Sequence, residues 1–242
     1  MFTDNVKPRQ RGRPRGQTPQ GAAARQRLYE TGIRLMSKQG YEATTLRDVA
    51  KEAGVSVGLL YRYFPSKLAI VLALYGELSA ECVHRSEQMS PGKWRDRFLF
   101  ALKMSLQVIK PHRTTFQALI PVIVGNREEG LFVESAASSR IPVQKIFQQA
   151  VIGSKDAPAH DLAEALGRLL YLVHLAVLLW WLLDRTSNQR ATDALISLIQ
   201  QTLPSVSLTL RLPPVRRFVI SVDELVGEAL FEHWTERTLD SK

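Results

Sequence analysis

The chain has 242 residues, is 45% hydrophobic and carries a net charge of +9. That length and apolar content build a sizeable core, as one large domain or as a small and a medium one, and exclude wholesale disorder. A single cysteine, Cys82, excludes an internal disulfide framework, and residues 1–15 lack the apolar run of a secretory signal, so a cytoplasmic location is expected.

The charge is not spread evenly. Residues 1–70 hold 13 Lys and Arg against 5 Asp and Glu, a net of +8, and the other 172 residues hold 19 against 18. The basic end calls for a polyanion or is a solubilising tail. Residues 1–20 contain five basic residues, three prolines, Gly12 and Gly16, with only Met1, Phe2 and Val6 apolar. They read as a disordered basic arm.

From about Ala22 the pattern turns helical. Leu28, Ile33, Leu35 and Met36 recur at near-helical spacing, and Gly40 is a stop. Thr45 with Asp48 forms a capping-box-like pair, and Leu46, Val49, Ala50 and Ala53 give a short helix one apolar face. Gly54 ends it. Ser56 can cap a third helix over 57–64 that Pro65 stops, and 66–86 reads as a fourth with Leu68, Val71, Leu72 and Leu78 inward. Longer, greasier helices follow, at about 92–109, 112–124, 139–152, 159–185 and 189–203. Residues 206–212 alternate like a strand, Pro213 and Pro214 interrupt, and a last amphipathic helix is expected over 223–236. The run 169–183 is apolar apart from His174, but at 15 residues it is short of a membrane span, which needs about 20. A helix buried in the chain or in a subunit interface is expected, with no membrane partner.

The stretch 44–67 carries the function. A helix, a glycine turn and a second short helix have the geometry of a helix-turn-helix, whose second helix enters the major groove, or of an ordinary helical hairpin. Gly58 lets the backbone approach DNA closely, Arg62 can bond a guanine edge or a phosphate, and Tyr61 and Tyr63 can donate to phosphates. Leu60 and Phe64 must pack inward. Lys67 adds charge where the fourth helix's first amides favour a phosphate.

The residues Gly40, Tyr41, Thr44, Thr45, then Val49, Ala50, Ala53, Gly54, Val55, Ser56, then Gly58, Tyr61, Tyr63, Phe64, Ser66 and Lys67 closely resemble the DNA-binding domain of TetR-family regulators over about 22–70. The resemblance implies an all-α homodimer: an N-terminal three-helix DNA-binding domain, here about 21–68, and a larger helical ligand-binding and dimerisation domain, here about 69–204. Residues 205–242 form a C-terminal extension. It also implies that Thr45, Tyr61, Tyr63 and Lys67 contact the DNA backbone and that Ser56, Val57, Gly58, Leu59 and Arg62 line the recognition surface. Leu59 stands where such domains often have a small or polar residue, which favours apolar contact, for instance with a thymine methyl. In the arm, Arg11-Gly12-Arg13-Pro14-Arg15-Gly16 resembles an AT-hook lying along an A·T-rich minor groove, with a generic phosphate-touching arm as the alternative.

The C-terminal part resembles only the family's layout. Its last two long helices would pair across a dimer, with Leu166, Leu169, Leu170, Val173, Val177 and Leu178 as seam candidates unless they pack within the chain. Pocket candidates are Phe98, Met104, Phe116, Ile120, Phe147, Tyr171, His174 and Trp180, residues of a kind that is more often plain core. A lack of pocket-directed charge suggests a small apolar ligand. The histidines and the cysteine have no metal-ligand spacing, and no nucleophile motif, phosphate loop or paired carboxylates stand out, so neither an enzyme nor a cofactor is expected. The expected function is a ligand-responsive regulator, a repressor on a near-palindromic double-stranded DNA operator. The alternatives are an activator or an architectural DNA binder that senses nothing.

Overall fold

Ten α-helices follow one another through the described residues, 19–125 and 133–230, of the computed structural model, and no strand lies among them. They are α1 Pro19–Gln39, α2 Leu46–Glu52, α3 Val57–Tyr63, α4 Lys67–Ser86, α5 Trp94–Ile109, α6 Arg113–Gly125, α7 Ala137–Ile152, α8 His160–Leu183, α9 Arg190–Thr209 and α10 Pro213–Leu230. The arm arginines Arg11, Arg13 and Arg15 lie outside the described residues, as does the expected end of the last helix.

The first four helices follow their local signals. Pro19 opens α1, where its missing amide would have no partner anyway. Gly40 closes it at φ +91°. On α4 the buried face is Ile70, Val71, Leu74 and Tyr75, with Leu72 and Leu78 partly packed. Leu68 stays half-buried outside the core cluster.

Two expectations near the C-terminus are overturned. Residues 206–209 are the last turn of α9, not a strand, and the helix passes through Pro204. The alternation of apolar residues found no partner strand among the described residues. Leu203 and Leu210, seven apart, are buried instead, while Leu208 and Leu212 are left exposed. Pro213 and Pro214 do stand at an interruption, the break at 210–212 between α9 and α10. They form the first turn of α10, which begins ten residues earlier than the periodicity predicts.

α8 is the axis of the larger part. It packs against α7 along its length and against α10 on another side. Gly167 lets α7 approach, because a Cβ there would lie 2.5 Å from the Gln148 Cα. α10 is fixed to α8 by Arg168, whose Nε lies 3.0 Å from both carboxylate oxygens of buried Asp223. At 24 residues α8 is long and apolar enough to cross a membrane. The shortness of its apolar run is therefore no argument, and its packing by α7 and α10 is what makes it a core helix.

Candidate nucleic-acid interface and ligand cavity

The α2–α3 unit is held by backbone chemistry that the sequence dictates. Thr45 caps α2: its Oγ accepts from the Asp48 amide at 3.1 Å, and the Asp48 carboxylate accepts the Thr45 amide at 3.2 Å. These bonds from Thr45 hold the Asp48 carboxyl below its ordinary pKa. At the far end Val55 N donates to Ala50 O at 3.0 Å and Gly54 N to Lys51 O at 3.2 Å, a Schellman closure. That closure needs a left-handed residue at 54, and Gly54 sits at φ +67°. Ser56 then caps α3 by accepting from the Leu59 amide at 3.2 Å.

The face of α3 divides as its spacing predicts. Leu60 and Phe64 are buried, the latter with Arg25 stacked over its ring. Ser56, Val57, Gly58, Tyr61 and Arg62 are exposed, and Leu59 is half-buried beside them. Around Gly58 a Cβ would meet nothing within 4 Å. The chain itself does not need a glycine there, so the free space points outward. Tyr63 is half-buried against the core, its ring partly committed to packing. Lys67 is also engaged: its ammonium donates to the Tyr41 carbonyl at 2.8 Å and lies over the Tyr41 ring. It keeps further donors, but its position is set by Tyr41.

The larger part encloses a cavity of about 320 Å³ bounded by α4, α5, α6, α7 and α8, within the size range of small-molecule sites. Of the sequence candidates, Phe116, Ile120, Tyr171 and His174 line it. Phe98, Met104 and Phe147 are buried behind the wall, and Phe147 stacks on His174 at 4.6 Å. Trp180 is half exposed on the outside of α8. Reading the pocket within 92–185 missed the α4 contribution, Tyr75, Leu78, Ser79 and Cys82. It also missed Ser105, Ser139 and Arg140. The expectation of a pocket without charge is therefore overturned by Arg140. No local pattern marks these residues, since they meet only when five helices close. Leu178, a seam candidate, lines the cavity as well.

The other seam candidates divide. Leu166, Leu170 and Val177 are buried within the chain and Leu169 is half-buried, while Val173 faces out together with Trp180 and Leu183. An all-round apolar helix gives no sequence clue to which face turns outward. Among the described residues no group of three His, Cys, Asp or Glu is placed to hold a metal.

The cavity and the four N-terminal helices share structural members. α1 packs on α6, whose Phe116, Ile120 and Ile123 form cavity wall. α1 also meets α4 so closely that a Cβ on Gly32 would lie 2.9 Å from Ile70, and the Tyr29 hydroxyl donates to Glu77 at 2.7 Å.

Residues 28–74 match the family described as bacterial regulatory proteins, tetR family. The HTH-type transcriptional repressor KstR of Rhodococcus jostii (strain RHA1) is 26% identical over 174 residues, 70% of this chain and 76% of that protein. KstR of Mycolicibacterium smegmatis is 46% identical over 52 residues, 22% of this chain and 26% of that one, so this likeness is confined to about a quarter of its length. Among solved structures, a tetR-family transcriptional regulator from Streptomyces coelicolor superposes with a TM-score of 0.55 at 20% identity, over 86% of this chain and 98% of that one. A TetR transcriptional regulator from Rhodococcus sp. RHA1 gives 0.51 at 24% identity, over 77% and 98%. These structures share the fold, including the helical part beyond the DNA-binding domain.

Proposed function

We propose that the chain, which matches the tetR family of bacterial regulatory proteins over residues 28–74, is a transcriptional repressor that holds a near-palindromic operator as a homodimer and releases it when a small apolar compound fills the cavity. The observation that carries the reading is the shared wall: α6 bounds the cavity and supports α1, the first helix of the DNA-binding domain. A ligand that prefers one placement of α6 and α4 thereby prefers one placement of the head. The shift it causes is limited by its differential affinity for the two states.

On DNA, the N-terminal end of α3 enters the major groove. Arg62 and Leu59 meet base edges, Tyr61 and the capped N-termini of α2 and α4 meet phosphates, and the two heads of the dimer stand about 34 Å apart or a multiple of it. The residues 1–18, with Arg11, Arg13 and Arg15, add salt-sensitive affinity in the minor groove or along the phosphates. The outward stripe of Val173, Trp180 and Leu183 on α8 is the apolar surface on which a second copy would pack.

The test is selection of bound sequences from a random DNA pool with the purified chain, repeated with Arg62→Ala. A palindrome enriched by the first and lost by the second is expected. Tight, salt-sensitive binding without any enriched motif would instead make the chain an architectural DNA binder.

A further inference from the structure

The cavity wall is mostly aliphatic and aromatic; besides Ser79, Ser139 and Tyr75, its polar groups are Cys82, Ser105, His174, Tyr171 and Arg140. Ser105 acts on the Cys82 thiol, and Ser105 Oγ lies 2.7 Å from His174 Nε2. The His174 ring lies 5.8 Å from that of Tyr171, which acts electrostatically on Arg140. All five line the cavity, and among the described residues no carboxylate does. Glu134 acts on Arg140 from outside the lining.

His174 is the informative member. It is 2% exposed, and its Nδ1 is buried without a hydrogen-bond partner. Burial keeps the imidazole neutral, its pKa pushed down to about 3. A neutral imidazole has one donating and one accepting nitrogen. When the Ser105 hydroxyl donates to Nε2, the proton sits on Nδ1 and an orphan donor remains beside the cavity. Arg140, itself acted on by Glu134, lies in the same wall, and a guanidinium only donates hydrogen bonds, which favours an oxygen acceptor at this end.

We infer that the effector is an apolar compound carrying an oxygen acceptor, a ketone or a carboxylate, at one end, and that this oxygen seats against the His174–Ser105–Arg140 run. The inference rests on the cavity being an effector site. The apolar body fills the space between α6 and α8, and the acceptor takes a hydrogen bond from the Nδ1 of the tautomer in which Ser105 donates to Nε2, the nitrogen that is buried without a partner. A compound with a donor-only head meets a donor and a cation.

The experiment uses the full chain and two matched sets of probes. The first set is methyl nonyl ketone, decanoate and decylamine; the second is butylacetophenone, butylbenzoate and butylbenzylamine. Binding is read by thermal shift and calorimetric titration. In at least one set the ketone or the carboxylate binds about tenfold tighter than the amine, the worth of one buried hydrogen bond. His174→Phe fills the same space, keeps the melting temperature and removes that preference, while His174→Gln, which retains a donor, restores part of it. Arg140→Lys weakens the carboxylate and spares the ketone, so the two acceptor heads are told apart. If the amine binds as well as the acceptors, or His174→Phe keeps the preference, the inference falls while the effector cavity stands. If no compound in either set shifts the melting temperature, the effector cavity falls and the inference falls with it.

Discussion

The DNA-facing head and the cavity-bearing body are built on different principles. In the head the α2–α3 unit is placed by residues within four or five positions of one another: Thr45 and Asp48 start α2, Gly54 turns the chain, Ser56 starts α3, while Lys67 is set from farther off by Tyr41. Its working face is left exposed. In the body the working surface is interior, and neighbours in it come from α4, α5, α6, α7 and α8. A head of this kind keeps its fold when its outward residues change. In the body several side chains that line the cavity also belong to the packed core.

That contrast is exposed to attack, beginning with the body. Asp223→Ala takes from the Arg168 guanidinium its shortest ion pair, leaving the longer one to Glu164, and should lower unfolding free energy by about 3 kcal/mol, read from the urea midpoint. Next, Gly167→Ala forces a Cβ against the Gln148 backbone and should cost about 2 kcal/mol in the same measurement. A midpoint unchanged in both variants would mean that the body is as tolerant as the head.

In the head, Arg62→Ala should weaken binding to the selected operator by about 1–3 kcal/mol and leave the urea midpoint where it was. A loss of stability of similar size would break the contrast from the other side. A pH series sharpens it. The His174 imidazole titrates at about 3 when folded against 6.5 ordinarily. Between those values the unfolded chain binds the extra proton, so the contribution is intact above pH 6.5 and is lost as pH falls through the window. His174→Phe should therefore flatten the fall in melting temperature over that range. The smallest effect belongs to Gly58→Ala. In α3 it should raise stability by less than about 1 kcal/mol, as a better helix former, while operator affinity drops because the space it fills is where DNA approaches. Higher stability with unchanged affinity would remove Gly58 from the interface.

Much of this was legible in the sequence and some was not. The caps, the glycine turn and the buried pair Leu60 and Phe64 follow from local rules of spacing and hydrogen bonding, and the structure has them where the sequence puts them. The pocket was half legible. Phe116, Ile120, Tyr171 and His174 could be picked as large or polar residues on greasy helices, but so could Phe98 and Phe147, which sit behind the wall. Arg140 and the α4 residues carried no signal, since nothing in α4 or α7 alone says which neighbour will face it.

The amino-acid sequence by itself determined an all-α chain, a capped helix-turn-helix and a basic N-terminal end, because caps, turns and charge act over a few residues. Only the tertiary structure decided that α9 runs on through Pro204, that Trp180 faces outward and Leu166 inward, and that a cation and an orphan imidazole nitrogen share one cavity. An apolar helix can bury any of its faces, and the choice is made by the helices that pack on it.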